Sequence, residues 1–283
     1  MKYKFEMFAL NIFKGMTLLM PWKMRYVFSD ILAKISYFVL KSRREITYKN
    51  LKIAFPDYSE EEIIKIAKAC YINMTRNFVE TFFMPQLLSK GNAEITNEEI
   101  MKEAYLEKKG VLLVSLHEGN WEIGAYFGYQ GYKMYHIVKR QKNPLFDTYI
   151  NETRSAMGVK FIYKGDSPKK IISAIKKGAI ISMLSDQYVD DTDVTFFGQN
   201  TQAPSGVAVL ALKYDVPIVF GYCLRDKNNR HQLILQERIY PVVKPNIKES
   251  VQATTQLYIT KMEEVIRQYP EQWLWQHNRF KER

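Results

Sequence analysis

Apolar side chains crowd the first forty positions and are broken at intervals by basic ones. Between Phe5 and Leu40 lie Met7, Phe8, Leu10, Ile12, Phe13, Met16, Leu18, Trp22, Tyr26, Phe28, Ile31, Ile35 and Phe38, among others. Lys14, Pro21, Lys23 and Arg25 interrupt the run, so no uncharged stretch of about 18 residues is available for a membrane-crossing helix. A signal peptide fits no better, because no small-residue cleavage site follows. Residues 1–45 are expected to form a helical, membrane-facing segment, lying in the interface or inserted shallowly. An ordinary pair of core helices is the plainer alternative. The remainder, 46–283, is expected to form one domain.

Past this segment, Pro56 marks a break within 50–59, and Ser59 followed by Glu60, Glu61 and Glu62 supplies an N-cap and an acidic first turn. A helix through Phe83 is expected, with Ile63, Ile66, Ala67, Cys70, Met74, Phe78 and Phe82 on its apolar stripe. From residue 110 the pattern changes to short continuous apolar runs. Val111–Leu116, Lys133–Val138, Val159–Ile162, Ala179–Leu184, Val216–Cys223 and His231–Tyr240 read as strands. Helical stretches at Trp121–Gln130, Leu145–Met157, Ser167–Lys177 and residues 205–214 separate most of them. This alternation predicts an α/β fold with a mixed, largely parallel sheet flanked by helices.

Charge sharpens the picture of the N-terminal segment. The 283 residues carry a net charge of +11, and residues 1–55 hold eleven basic side chains against Glu6, Asp30 and Glu45, which is +8 of it. Nucleic-acid arms seldom carry so much aliphatic bulk, whereas a surface that dips into an anionic bilayer needs an apolar side and a cationic rim. A nucleic-acid partner is therefore not expected. The two cysteines, Cys70 and Cys223, form no Cys-x-x-Cys unit and read as buried small hydrophobes.

In an open α/β sheet, ligands bind beyond the carboxyl ends of the strands. The polar residues that follow the apolar runs are His117 to Glu122, then Lys139 and Arg140, then Asp186 and Gln187. If His117 ends a strand and Gly119-Asn120 makes the turn, Glu122 falls in the next helical turn, where its carboxylate can reach back to an imidazole nitrogen. Such a carboxylate fixes the tautomer and steadies the imidazolium. No nucleophile accompanies the pair: Ser115 lies inside a strand and no Gly-x-Ser-x-Gly elbow is present. A His/acid pair without its own nucleophile suits direct transfer, in which the base deprotonates a substrate hydroxyl. On its own the His-x4-Glu spacing also fits a structural histidine held by a carboxylate. A zinc site on His117, Glu118 and Glu122 lacks a second histidine at helical spacing, so no metal is expected. His136, His231 and His277 read as packing residues.

Ser115-Leu116-His117-Glu118-Gly119-Asn120-Trp121-Glu122 closely resembles the His-x4-Asp/Glu block of the late lipid A acyltransferases, the lauroyl and myristoyl transferases of lipopolysaccharide synthesis. Further blocks follow in the same order over nearly the whole chain. Asn50-Leu51 with Phe55-Pro56, Arg140 to Pro144 with Arg154, Asp186-Gln187, Phe196 to Gly198, Thr201 to Gly206, and Trp273 to Lys281 are all similar to that family. The resemblance implies attachment to the cytoplasmic face of the inner membrane and a fatty acyl chain taken from acyl carrier protein as its thioester, with no cofactor. It also implies esterification of a 3-hydroxyacyl chain on a Kdo-bearing lipid A precursor. His117 would be the general base, Glu122 its orienting partner, and Arg140 or Arg154 a binder of substrate phosphate or developing charge. Asn120 is expected at the substrate, and Asp186 at the substrate or ordering the site from its neighbouring strand end. A glycerolipid or glycolipid acyltransferase using acyl-CoA is the nearest alternative, and a non-catalytic membrane-anchored interaction protein is a more distant one.

Overall fold

The computed structural model describes residues 1–281. Helices α1 (Lys2–Leu19) and α2 (Trp22–Val39) are divided by Pro21, and α3 (Lys41–Ala54) follows at once, so the expected boundary at residue 45 falls inside a helix. Next comes α4 (Glu60–Glu80), whose start is a capping box: the Ser59 hydroxyl accepts from the Glu62 amide while the Glu62 carboxylate accepts from the Ser59 amide. The chain continues through α5 (Met84–Ser89), β1 (Ala93–Thr96), α6 (Glu98–Leu106) and β2 (Val111–Ser115). A 3-10 turn (Trp121–Ala125) leads into α7 (Tyr126–Tyr129), β3 (Met134–Val138), α8 (Pro144–Ala156), β4 (Val159–Tyr163), α9 (Pro168–Lys176) and β5 (Ile180–Leu184). Then come β6 (Thr192–Phe196), β7 (Gln199–Ala203), α10 (Gly206–Tyr214), β8 (Ile218–Arg225), β9 (His231–Ile239) and α11 (Ile247–Gln268).

The main sheet has seven strands in the order β1-β9-β8-β2-β5-β3-β4, and only the β8/β9 pair is antiparallel. This is the mixed, largely parallel sheet that the alternation of apolar runs predicts. Helices cover both faces, which explains why β2 is a continuous apolar run: Leu112 and Val114 enter the core on one face, Val111 and Leu113 the core on the other. Each fully buried Val or Leu contributes roughly 1.5–3 kcal/mol against exposure, so the central strands anchor the domain. Gly128 has a steric reason, since a β-carbon there would lie 2.7 Å from Val159 and 2.8 Å from the Met157 carbonyl; around Gly124 and Gly131 the space is open.

Several elements differ from the sequence expectation. Helix α11 was not anticipated, although Tyr258, Ile259, Met262, Val265 and Ile266 form its buried stripe. The short strand β1, the nine-residue helix α6 and the polar hairpin β6/β7 are also outside the sequence expectation, because four- or five-residue strands and a two-turn helix with few apolar positions carry little periodic signal. The expected Trp121–Gln130 helix is a 3-10 turn joined to a single α turn. The break expected from residue 50 begins only at Phe55.

α1 and α2 each bury one face and expose the other. Phe13 of α1 meets Phe78 of α4 and Phe82 in the turn that follows it, with ring centroids 6.0 and 5.5 Å away, and α2 buries Tyr26, Ser29, Ala33 and Tyr37. Outward, Phe5, Phe8, Ile12, Met16 and Leu19 form one apolar stripe, and Met24, Val27, Ile31, Ile35 and Phe38 form a second. Among the described residues, no helix is long and apolar enough to cross a membrane.

A buried polar cluster joins these parts. Glu80, at the end of α4, is paired with Arg225 at the end of β8, with no solvent exposure for Glu80 and little for Arg225. The Glu80 carboxylate also accepts from Tyr26 Oη at 2.9 Å and Asn120 Nδ2 at 2.6 Å, and His231 Nε2 lies 3.2 Å away. Arg225 donates to Asn77 Oδ1 at 2.6 Å and Asn73 Oδ1 at 3.3 Å. Burial alone would raise the Glu80 pKa, but the Arg225 charge and the hydrogen bonds from Arg225 and His231 outweigh it and hold the carboxyl well below its usual range. Arg225→Met would strand the Glu80 charge, an error that typically costs about 3–5 kcal/mol. Urea unfolding should show a loss of that order, and a loss under about 1 kcal/mol would contradict the pairing. Glu80→Leu combined with Arg225→Met should recover only part of it, because Tyr26, Asn77 and Asn120 then lose their partner.

Candidate active site

His117 leaves the carboxyl end of β2 at the middle of the sheet, and Asp186 leaves the neighbouring β5. The backbone between them continues the ladder, with Ser185 donating to the Ser115 carbonyl at 2.9 Å. Asp186 then accepts from the His117 amide at 2.9 Å, and its other oxygen stands 2.7 Å from His117 Nδ1. Trp273 Nε1 donates to the same carboxylate at 2.7 Å. Burial is the largest influence on Asp186 and pushes it up, but His117 and these donors outweigh it and bring its pKa to about 2. An ionised carboxylate only accepts, so Nδ1 carries the imidazole proton and Nε2 is left as the basic nitrogen.

The turn that presents His117 is set by sterics and by the C-terminal segment. Gly119 has φ +55, and a β-carbon there would lie 2.2 Å from the Cys223 carbonyl oxygen. Its amide donates to the Gln272 carbonyl, and its own carbonyl accepts from Asn73 and Asn77 of α4. Glu118 bridges to Trp273, and Leu274 donates to the His117 carbonyl at 3.1 Å. Asn50 in turn donates to the carbonyls of Trp275 and His277 at 2.8 and 2.6 Å, and the Phe55 ring centroid lies 5.8 Å from that of Trp275. The end of α3 and the 273–277 segment thus meet behind the histidine.

Three expected site residues take other partners than the imidazole. Glu122 shares no hydrogen bond with His117 among the described residues. Both its oxygens are taken by the fork of Arg154, Nε at 2.9 Å and Nη2 at 2.6 Å. Burial would raise Glu122, and Arg154 more than offsets it, so the carboxyl is held below its ordinary value. The physical reason is charge balance: turned toward the imidazole, Glu122 would leave the part-buried Arg154 guanidinium without its counter-ion. Asn120 is fully buried with both ends of its amide engaged, accepting from the Glu122 amide as the cap of the 3-10 turn and donating to Glu80. Arg140 is two-thirds exposed, stacked 3.7 Å over the Tyr163 ring and 4.0 Å from Asp166, away from the imidazole. The orienting carboxylate of His117 is therefore Asp186, which the sequence placed only in the same region.

Around the imidazole, the Trp121 ring stands edge-on with centroids 5.0 Å apart, and Gln187 Nε2 is 3.5 Å from His117 Nε2. His136 is buried near Glu122 and Arg154, and burial lowers its pKa to about 4, so it is a neutral packing residue, as is the buried His231. His277 accepts from the Tyr188 amide at 3.2 Å. No nucleophile stands ready, since Ser115 is buried in β2 and burial raises both cysteine thiols, Cys70 to about 12. No three His, Cys, Asp or Glu side chains converge as a metal set among the described residues. A polar groove of about 800 Å³ lies between α3, the β6/β7 hairpin and α11, and reaches this region only at Tyr188.

A carboxylate-held histidine at the carboxyl edge of a parallel sheet is the arrangement of an enzyme that takes a proton from its substrate during group transfer. The family model for bacterial lipid A biosynthesis acyltransferase matches residues 2–282, and the chain belongs to that family. It is 27% identical over 276 residues to the lipid A biosynthesis lauroyltransferase of Escherichia coli K12, covering 93% of this chain and 87% of that one. It is 26% identical over 253 residues to the lipid A biosynthesis palmitoleoyltransferase of the same organism and to a lipid A biosynthesis acyltransferase of Shigella flexneri, covering 86% of this chain and 80% of each. The protein is an acyltransferase of lipid A synthesis.

Beside this site Glu118 is fully buried, and neither of its carboxyl oxygens has a partner among the described residues. Burial, with Glu271 and Asp186 nearby, raises its pKa well above the usual carboxylate range. Neutral when folded and ionised when unfolded, it lowers stability as pH rises above about 4.5, by about 1.4 kcal/mol per unit, until the folded form ionises. Glu118→Gln removes that dependence, so its stability relative to wild type should climb between pH 5 and pH 7 in urea titrations. A difference that does not change with pH would show that Glu118 is ionised in the fold.

Proposed function

We propose that the protein moves a fatty acyl chain from an acyl carrier protein thioester to the 3-hydroxyl of an acyl chain on a Kdo-bearing lipid A precursor, at the cytoplasmic face of the inner membrane. The observation that carries this reading is His117 with Nδ1 locked on Asp186 and Nε2 free to take a proton. Nε2 removes the hydroxyl proton as the oxygen attacks the thioester carbonyl, and collapse expels the thiolate, which takes that proton back from the imidazolium. Asp186 stabilises the imidazolium throughout. The products are an ester and a thiol, and the balance needs no cofactor and no acyl-enzyme. Glu122 and Arg154 form the side wall of the site, a rigid pair rather than a second base.

Two surfaces support the partners. Residues 139–170 carry eight basic side chains against Asp147, Glu152 and Asp166. Lys139, Arg140 and Lys164 follow β3 and β4 on the edge that holds His117, a fit for an acidic carrier protein. The apolar stripes of α1 and α2, flanked by exposed Lys4, Lys23 and Lys34, suit insertion into an anionic bilayer surface.

With precursor and acyl-loaded carrier protein in detergent, mass spectrometry should show one added acyl chain. His117→Ala and Asp186→Asn should each lower kcat by about 10²–10⁴ with unfolding midpoints unchanged. Glu122→Ala should also lower the melting temperature, because it strands Arg154. Wild-type turnover in His117→Ala would sink the mechanism, and equal use of acyl-CoA would sink the carrier assignment. For the membrane surface, the protein should float with phosphatidylglycerol vesicles, and Phe8→Glu with Ile31→Glu should abolish flotation. Retention on DNA with no vesicle association would overturn that part.

A further inference from the structure

The dipeptide Asp186-Gln187 brackets the imidazole, with the carboxylate on Nδ1 and the carboxamide nitrogen of Gln187 3.5 Å from Nε2. That distance is at the outer limit for a hydrogen bond, so the amide rests loosely on the basic nitrogen. The Gln187 side chain is half-buried and makes no other hydrogen bond among the described residues. Of the other donors near the histidine, Asn120 is spent on Glu80, Arg154 on Glu122 and Asn151, Trp273 on Asp186 and the Tyr188 amide on His277, while the Trp121 indole N–H makes no hydrogen bond among the described residues.

Resting on the acyl-transfer reading above, we infer that Gln187 is a further catalytic residue, the donor that stabilises the oxyanion formed on the thioester carbonyl. An incoming hydroxyl makes a shorter bond to Nε2 than the amide does, and so displaces it. The attacked carbon carries both the incoming oxygen and the carbonyl oxygen. The negative charge therefore develops within a few ångströms of the base, beside the amide just released. As the new C–O bond forms and the hydroxyl proton passes to Nε2, the carbonyl π pair moves to oxygen and meets a Gln187 N–H. When the C–S bond breaks, the pair returns to the carbonyl and the thiolate takes the proton from the imidazolium. The amide is neutral and anchored beside Asp186, so it is positioned before charge appears, which is the condition for a large effect.

Gln187→Ala should lower kcat by about 10²–10³ while KM for either substrate changes less than about threefold, the pattern of a contact made only in the transition state. Its unfolding midpoint should match wild type. Gln187→Glu should lose at least as much, because a carboxylate repels the oxyanion, and Gln187→His, which restores a nitrogen donor, should recover part of the rate. Trp121 carries the other uncommitted N–H beside the ring, and Trp121→Phe serves as its counterpart. A kcat for Gln187→Ala within about threefold of wild type, or a loss confined to KM, would overturn the assignment, as would a larger kcat loss in Trp121→Phe. Wild-type protein that forms no acylated product in the same assay would overturn the acyl-transfer reading itself, and this role with it.

Discussion

The ion pair between Glu80 and Arg225 is the constraint from which the arrangement of the site follows. Two charges removed from water each cost several kcal/mol, and mutual attraction offsets that only if the remaining lone pairs and N–H groups are also matched. The matching groups come from separate parts of the chain: Tyr26 on α2, Asn73 and Asn77 on α4, Asn120 in the turn after β2, and His231 on β9. Gln272 holds the Arg225 backbone from the C-terminal side, accepting from its amide at 2.8 Å and donating to its carbonyl at 3.1 Å. Satisfying one buried pair therefore fixes where the N-terminal helices, the site turn and the C-terminal segment lie relative to the sheet.

The turn after β2 shows how that constraint reaches the chemistry. Asn73 and Asn77 hold the Gly119 carbonyl, and Asn120 is held by Glu80, so the backbone on either side of Glu118 has little freedom. Three carboxyl groups then surround His117, and each is settled differently. Asp186 is ionised against imidazole and indole, Glu122 is ionised against Arg154, and Glu118 is pushed toward the neutral form by burial, its oxygens having no hydrogen-bond partner among the described residues. Turning Glu122 toward the imidazole would leave the Arg154 guanidinium without its counter-ion, so burial and charge balance choose the orienting acid, not proximity in sequence.

That choice marks how far the sequence could be read. The sheet, most of its helices, the break near Pro56 and the position of His117 at a strand end all follow from period and punctuation. Pairing His117 with Glu122 followed a local rule, five residues apart, whereas the observed partner is 69 residues away and depends on β5 lying beside β2. Parallel neighbours in an α/β sheet are rarely adjacent in sequence, and nothing in the apolar runs orders them. Asn120 and Arg140 misled for related reasons: an asparagine in a turn is more often a cap than a ligand, and an arginine after a strand can stack outward on a tyrosine. The C-terminal Trp273–Phe280 stretch was visible only as a block of resemblance. Its indole on Asp186 and its backbone pairing with the site turn are tertiary facts.

The two basic regions differ in a way that bears on how substrates would arrive under the proposed function. The N-terminal one is laced with exposed Phe, Ile and Met, while residues 139–170 expose charge and, of their large apolar side chains, only Leu145 prominently. A bilayer rewards the first composition and an acidic soluble protein the second. In the sheet, β2 is followed by β5, β3 and β4, so Lys164 at the end of β4 is three strand spacings, about 14 Å, from the strand that carries His117. A partner docked there has about that distance to bridge between its contact on Lys164 and the imidazole. A lipid acceptor would instead approach from the side of α1 and α2, where α1 lies against α8, the helix that carries Arg154. Donor and acceptor then converge on Nε2 from different directions, which a site built for direct transfer requires and a site built for an acyl-enzyme does not.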